Sequence, residues 1–293
     1  MGWVLLAPWA ALLVALFGIS TAAPLARLAG VDGVTAAWWR LLVGSLVTLA
    51  ASAIVGRLPR SSVAVRSLPA GVLLAAHLAL WLESLRHASV ASSTGIVVSY
   101  PVIAAAYEAL VERSATPRMV LGVVLGFSGV AILSTPWAGA TMLGALMAFS
   151  AAVAATAYFL LGRRLRVRGV STLEYTAVVY TAAFLAVAVY AAAAGVKAWS
   201  PPRGSIPYLI ALGLVPMLLG HTMLNYALAF YPTAVVTSIA LLEPYGASLL
   251  AWLLLDEPPP PASLPGLLLT VTGAWLTLYR TQPGSTARKL GSL

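Results

Sequence analysis

Few side chains in this chain of 293 residues could do chemistry away from its ends, and those few recur at a fixed interval. His77 and His221 stand 144 residues apart, and Pro101 and Pro244 stand 143 apart. Each histidine sits midway along an apolar stretch, followed by a tight turn and a second apolar stretch that a proline interrupts, over 77–101 and again over 221–244. Glu243 immediately precedes the second proline, and Tyr100 takes the aligned place before the first. Imidazole titrates near neutral pH. Histidines near a carboxyl group could therefore bind a polar molecule and exchange protons with it. Charge is costly deep in an apolar phase, so such groups normally face a cavity or a partner. The plainer reading stays open: polar side chains also tie helix to helix, and Glu243 could simply brace its neighbour as a hydrogen-bonded acid.

Other polar groups extend the pattern. Asn225 lies one helical turn beyond His221, and Trp81 and Ser84 continue the face of His77. Ser93, Tyr100 and Tyr107 recur every seven residues and form one stripe, suited either to a polar ligand or to back-bonding onto the helix's own carbonyls. Arg40 and Glu83 are expected at similar depth, so the sequence predicts an Arg40–Glu83 pair that neutralises both and serves as a brace or gate. Pro101 and Pro244 should kink their helices, because proline removes one backbone hydrogen bond; Pro24 and Pro216 could act likewise. Glu108, Glu112 and Glu174 lie near helix ends, where water or loop arginines are within reach. Trp9, Phe17, Trp81 and Tyr158 lie deeper and could line a cavity. Trp3, Trp137, Trp199, Tyr208 and Tyr279 read as interfacial anchors.

The elements that must position these groups follow from composition. The chain is 61% hydrophobic and 9% charged, against about 25% charged in soluble domains. It is read as an all-α integral membrane protein. A spanning helix needs ~20 apolar residues. Ten segments qualify: 4–26, 33–55, 67–86, 90–111, 117–135, 140–162, 171–194, 205–230, 233–255 and 262–280. The first lacks a basic n-region and is too long for the apolar core of a leader, so it is read as a transmembrane helix. The basic residues sit in loops, where the net charge of +9 sets topology and implies no nucleic-acid partner. Arg57, Arg60, Arg66, Arg113, Arg118 and the cluster from Arg163 to Arg168 fall on one side, with Arg280, Arg288 and Lys289. Only Arg27, Arg86, Lys197 and Arg203 fall on the other. Both termini are therefore expected in the cytoplasm of a cell that carries the chain in its plasma or inner membrane. The polar basic tail, 282–293, is expected to be disordered.

The same offset returns elsewhere. Gly122 and Gly129 match Gly266 and Gly273, and Glu112 matches Asp256, all at 144 residues. Two five-helix repeats, 1–137 and 138–281, follow. An odd number of helices per repeat sends the second half in from the opposite side, so the topology is inverted. Inverted repeats of this kind mark secondary transporters, with the site near the midplane between them. The glycines could support a weak homodimer, though packing within one chain is favoured over that.

Trp38-Trp-Arg-Leu-Leu42, Ala88-Ser-Val-Ala-Ser-Ser93, Leu242-Glu-Pro244 and Leu253-Leu-Leu-Asp-Glu-Pro258, in this order and with glycine-rich fifth and tenth helices, resemble the drug/metabolite transporter superfamily in its EamA-type ten-helix branch. The resemblance spans about 4–280. It implies a carrier of small metabolites, often an exporter of amino acids. It also implies a cavity lined by the first, third, fourth, sixth, eighth and ninth helices. On the residues alone, an intramembrane enzyme and a haem-binding protein using His77 and His221 are the alternatives. The sequence has no His-Glu-x-x-His motif, no Gly-x-Ser-x-Gly elbow and no phosphate-binding loop. It has no cysteine, so thiolate chemistry is excluded. No cofactor and no metal is implied.

Overall fold

Every long apolar stretch became a helix in the computed structural model, which describes residues 7–134, 140–259, 261, 263–279 and 281. Eight helices are long and apolar enough to cross a membrane: α1 (Pro8–Ala29), α2 (Gly33–Ile54), α3 (Ser61–Ser84), α4 (Val90–Leu110), α6 (Met142–Arg166), α7 (Thr172–Ala193), α8 (Arg203–Ala227) and α9 (Thr233–Leu255). Two shorter apolar helices, α5 (Pro117–Ser134) and α10 (Ser263–Leu278), complete the set among the described residues. α3 begins at Ser61, six residues before the expected start, because its basic and polar first turns carry on as helix ahead of the apolar run. The expected tail at 282–293, together with Trp3, Trp137, Arg280, Arg288 and Lys289, lies outside the described residues.

Side chains placed at helix starts cap α2, α4, α6 and α7. Asp32 accepts from Thr35 N–H at 2.8 Å, Ser89 from Ser92 N–H at 3.2 Å, Thr141 from Gly144 N–H at 3.1 Å and Ser171 from Glu174 N–H at 3.1 Å. Each satisfies one of the donors that a helix start leaves free. α9 is different. It starts on Pro232 with no capping side chain of its own.

The lateral surface is apolar, and a largely apolar interior encloses the few ionisable side chains, an arrangement unlike that of a soluble domain. Leu46, Ile54, Leu146, Val189, Leu253 and Leu268 point outward, while Arg40, His77, Glu108, His221 and Glu243 are buried. Trp9 and Phe17 also point outward, at 61% and 64% exposed, so they do not line a cavity as the sequence suggested. Depth in the chain had placed them; rotation of α1 turned them to the outside. Trp199, Tyr208 and Tyr279 are exposed near helix ends.

α5 and α10 pack along glycines. A side chain at Gly122 would stand 2.7 Å from the carbonyl oxygen of Gly273, and one at Gly266 would stand 2.6 Å from that of Gly129. Only hydrogen fits at such separations. Thr270 Oγ donates to Gly126 O at 3.0 Å, and Tyr245 OH donates to Gly129 O at 2.7 Å, sealing the seam. The pairing is reciprocal, 122 with 273 and 129 with 266, so the two helices run antiparallel. The expected glycine packing is thus made inside one chain.

Four helices are interrupted midway. α1 breaks at Thr21, three residues before Pro24. α4 breaks between Val97 and Tyr100, directly before Pro101. α9 tightens to a 3-10 turn over Ile239–Leu242, directly before Glu243 and Pro244. α8 winds wide, as π-helix, from Gly213 to His221 around Pro216. Proline lacks the N–H that would continue the ladder, and wide turns of this kind often mark functional sites.

Candidate functional site

The four interruptions meet around one small cavity. Its walls are Ile19 and Ala22 of α1, Arg40 of α2, His77 and Trp81 of α3, Val97 and Tyr100 of α4, His221 of α8 and Glu243 of α9. The free space is about 10 Å³, on the order of a single water. Of the residues singled out in the sequence, His77, Trp81, Tyr100, His221 and Glu243 meet here. Ser93 and Asn225 do not line the space. Ser93 Oγ is spent on Ser84 Oγ at 2.6 Å. Asn225 donates to the Tyr158 hydroxyl and, at 2.8 Å, to the carbonyl of His221, which ties it into the wall behind.

Aromatic contacts hold the walls together. The rings of His77 and His221 lie 5.9 Å apart. His77 stacks on Trp81 at 6.2 Å and meets Tyr100 edge-on at 6.5 Å. Tyr158 and Phe159 of α6 each stand 6.0 Å from His221, so α6 backs the cavity one layer out. His77 Nδ1–H donates to Ala151 O at 3.0 Å, because a carbonyl can only accept, and this bond fixes the tautomer and the ring.

Arg40 corrects the sequence reading most. It is fully buried and does not pair with Glu83. Its guanidinium lies 6.0 Å from the Trp81 ring centre, a distance at which a cation is attracted to the ring face. Glu83 turns the other way. It accepts from Gly33 N–H at 2.7 Å, capping α2, and from Arg86 at 3.0 Å. The two residues share a depth and differ in face.

Among the described residues, Arg40 Nε and Nη1, Trp81 Nε1 and His221 Nδ1 are buried without a hydrogen-bond partner. All four atoms belong to residues that line the one cavity. Buried polar atoms are nearly always satisfied, so orphans gathered in one place call for an explanation. The residues round this cavity supply one guanidinium, one carboxyl, two imidazoles, a phenol and an indole.

The two ends of α4 and α9 carry a second kind of machinery, which the sequence did not reveal. At one end, Glu108 is 1% exposed and accepts from Thr233 N–H at 2.6 Å and Ala234 N–H at 3.2 Å, so it supplies the cap that α9 lacks. Arg163 donates to the carbonyl of Leu228 at 2.8 Å and to that of Tyr231, gripping the turn before α9. At the other end, Glu257 accepts from Val90 N–H of α4 at 3.4 Å. Arg27 donates to Ala88 O, in the turn before α4, at 2.9 Å and lies 3.5 Å from Glu257. Each clamp is therefore an acid on a helix start and an arginine on the preceding turn. Glu112 lies 3.9 Å from Arg164, and Glu174 holds Arg60 at 2.9 Å; that hydrogen bond raises the Arg60 guanidinium above its ordinary pKa. Those two acids meet arginines as the sequence suggested, whereas Glu108 is sealed inside.

Comparison with known proteins bears on both family and fold. The EamA-like transporter family matches residues 4–135 and again residues 142–279, two copies that together take in nearly the whole chain. A solved structure described only as "Crystal structure of protein" superposes with a TM-score of 0.74 at 21% identity, covering 92% of this chain and 97% of its own. At that identity the likeness shows the fold alone. No curated relative matches the sequence.

Proposed function

The chain belongs to the EamA-like transporter family, and we propose that it is a secondary carrier exporting a small amphipathic zwitterion, such as an amino acid, by alternating access. It is a multi-pass membrane transporter at the coarser level that the family carries. The finer reading takes all ten helices as spans, α5 and α10 included, in two five-helix repeats split near residue 137. Support comes from the antiparallel seam of α5 and α10, since repeat mates that run opposite ways fit inverted topology. Basic loops argue for both termini in the cytoplasm of the plasma or inner membrane. The Glu108 end then faces the cytoplasm and the Glu257 end faces outside. The glycine seam is used up within the chain, so the reading is a monomer.

One observation carries the substrate class: the orphaned donors of Arg40 and Trp81 and the unpartnered Nδ1 of His221 share a cavity with Glu243. A ligand carboxylate would satisfy the donors and a ligand ammonium would meet the carboxyl. At about 10 Å³ the cavity is shut, and the breaks in α1, α4, α8 and α9 are the places where the walls can part. Pro101 and Pro244 are the proposed hinges. Protons are the proposed coupling ion, with Glu243 and the two imidazoles as the groups that exchange them. A planar haem between His77 and His221 has no room here, because Tyr100 and Phe159 already pack against the rings. Membership of a transporter family weighs against the enzyme reading.

Counterflow in proteoliposomes with a panel of amino acids, nucleosides and sugars tests the carrier. Glu243→Gln should cut counterflow at least about tenfold, the scale of a buried charged contact. Equal counterflow by variant and wild type would remove Glu243 from the site. Uptake that ignores an imposed pH gradient would remove proton coupling.

A further inference from the structure

A second and larger space opens at the Glu257 end. It measures about 530 Å³, within the ~300–1,000 Å³ of small-molecule sites. Arg27, Asp256 and Glu257 line it, and Val90 and Ala251 supply apolar wall. Ser248 lies in the wall at 4% exposure, and its hydroxyl has no partner among the described residues; nor does the buried Nε of Arg27. The Arg27–Glu257 pair in its lining is long, 3.5 Å, with side chains 32% and 35% exposed. A pair so placed is weak and easily exchanged.

From these features we propose that the space is a second binding site, for zwitterions with a small apolar side chain. The ligand carboxylate takes the place of Glu257 on Arg27. Its ammonium goes to Glu257 and Asp256, and its side chain lies against Val90 and Ala251. Ser248 is five residues beyond Glu243 on α9, about 7.5 Å along a helix. The second site therefore sits one step from the central cavity on the outward path. Occupancy also unfastens the clamp on the start of α4, because Glu257 turns from Arg27 and Val90 N–H to the ammonium. The inference rests on the carrier reading for its place in the transport path. It does not rest on it for the site's chemistry.

The chain has no cysteine, so one introduced thiol reports alone. Ala91→Cys places it in the wall of this space. The full-length variant, in phosphatidylglycerol nanodiscs, is labelled with a membrane-impermeant maleimide. Millimolar L-leucine should slow labelling about tenfold, while isoamylamine and 4-methylvalerate, each with one charge, should slow it less than about twofold. Adding Glu243→Gln should leave the protection in place, and adding Arg27→Gln should abolish it. Absence of protection by leucine and by every other neutral amino acid would overturn the proposal. So would protection that survives Arg27→Gln and is lost with Glu243→Gln. Counterflow run in parallel separates the two readings. A protected thiol without counterflow leaves the second site and removes the carrier, whereas counterflow without protection does the reverse.

Discussion

At one end of α4, Glu108 holds two N–H groups of α9 at 2.6 and 3.2 Å with 1% of its surface exposed. At the other end, Glu257 holds one N–H group of α4 at 3.4 Å beside a space of about 530 Å³. The parts are the same: an acid on a helix start and an arginine on the preceding turn. Solvent access separates them. A charged hydrogen bond in a dry setting contributes about 1.5–3 kcal/mol. A pair exposed by a third contributes about 0.2–1 kcal/mol. One end is therefore locked and the other is latched; in the carrier proposed above, the latched side would open more easily.

The comparison can be broken at several points. Glu108→Ala should act most, leaving two buried N–H groups unpaired and costing about 3 kcal/mol. The thermal midpoint in a fixed detergent should fall accordingly, with Glu108→Gln falling less because an acceptor remains. Arg163→Ala should come next, at about 2 kcal/mol, since two turn carbonyls lose their donor. Arg27→Ala should be mildest, at about 0.5 kcal/mol. Thermal midpoints in the opposite order would refute the locked and latched assignment. The finest test is salt. Raising ionic strength screens exposed pairs far more than buried ones, so the small effect of Arg27→Ala should shrink in molar salt to what its bond to Ala88 O contributes, while that of Glu108→Ala persists.

How far the sequence foretold this depends on the residue. A polar side chain in an apolar run is conspicuous, so His77, His221, Glu243 and Tyr100 stood out, and the intervals of 144 and 143 tied them together in pairs. Helix rotation is what the sequence lacked. Arg40 and Glu83 share a depth, and only the packing of α2 against α3 shows Arg40 facing the cavity and Glu83 capping Gly33. Trp9 and Phe17 failed as cavity residues for the same reason. Ser93 and Asn225 were drawn into helix-to-helix bonds, the ordinary use of such groups. Glu108 was missed because its partners lie 125 and 126 residues away. A signal did exist: α9 opens on Pro232 without a Ser, Thr, Asp or Asn cap, so some other acceptor had to supply one.

The seam of α5 and α10 has a mechanical consequence. Where Gly122 meets Gly273 and Gly129 meets Gly266, backbone lies on backbone, with Thr270 and Tyr245 pinned across the join. No side chains there can change rotamer to take up a displacement. In the carrier proposed above, the halves would tilt about such a join rather than slide along it, and α9, which bears on it through Leu241 and Tyr245, would turn with that axle.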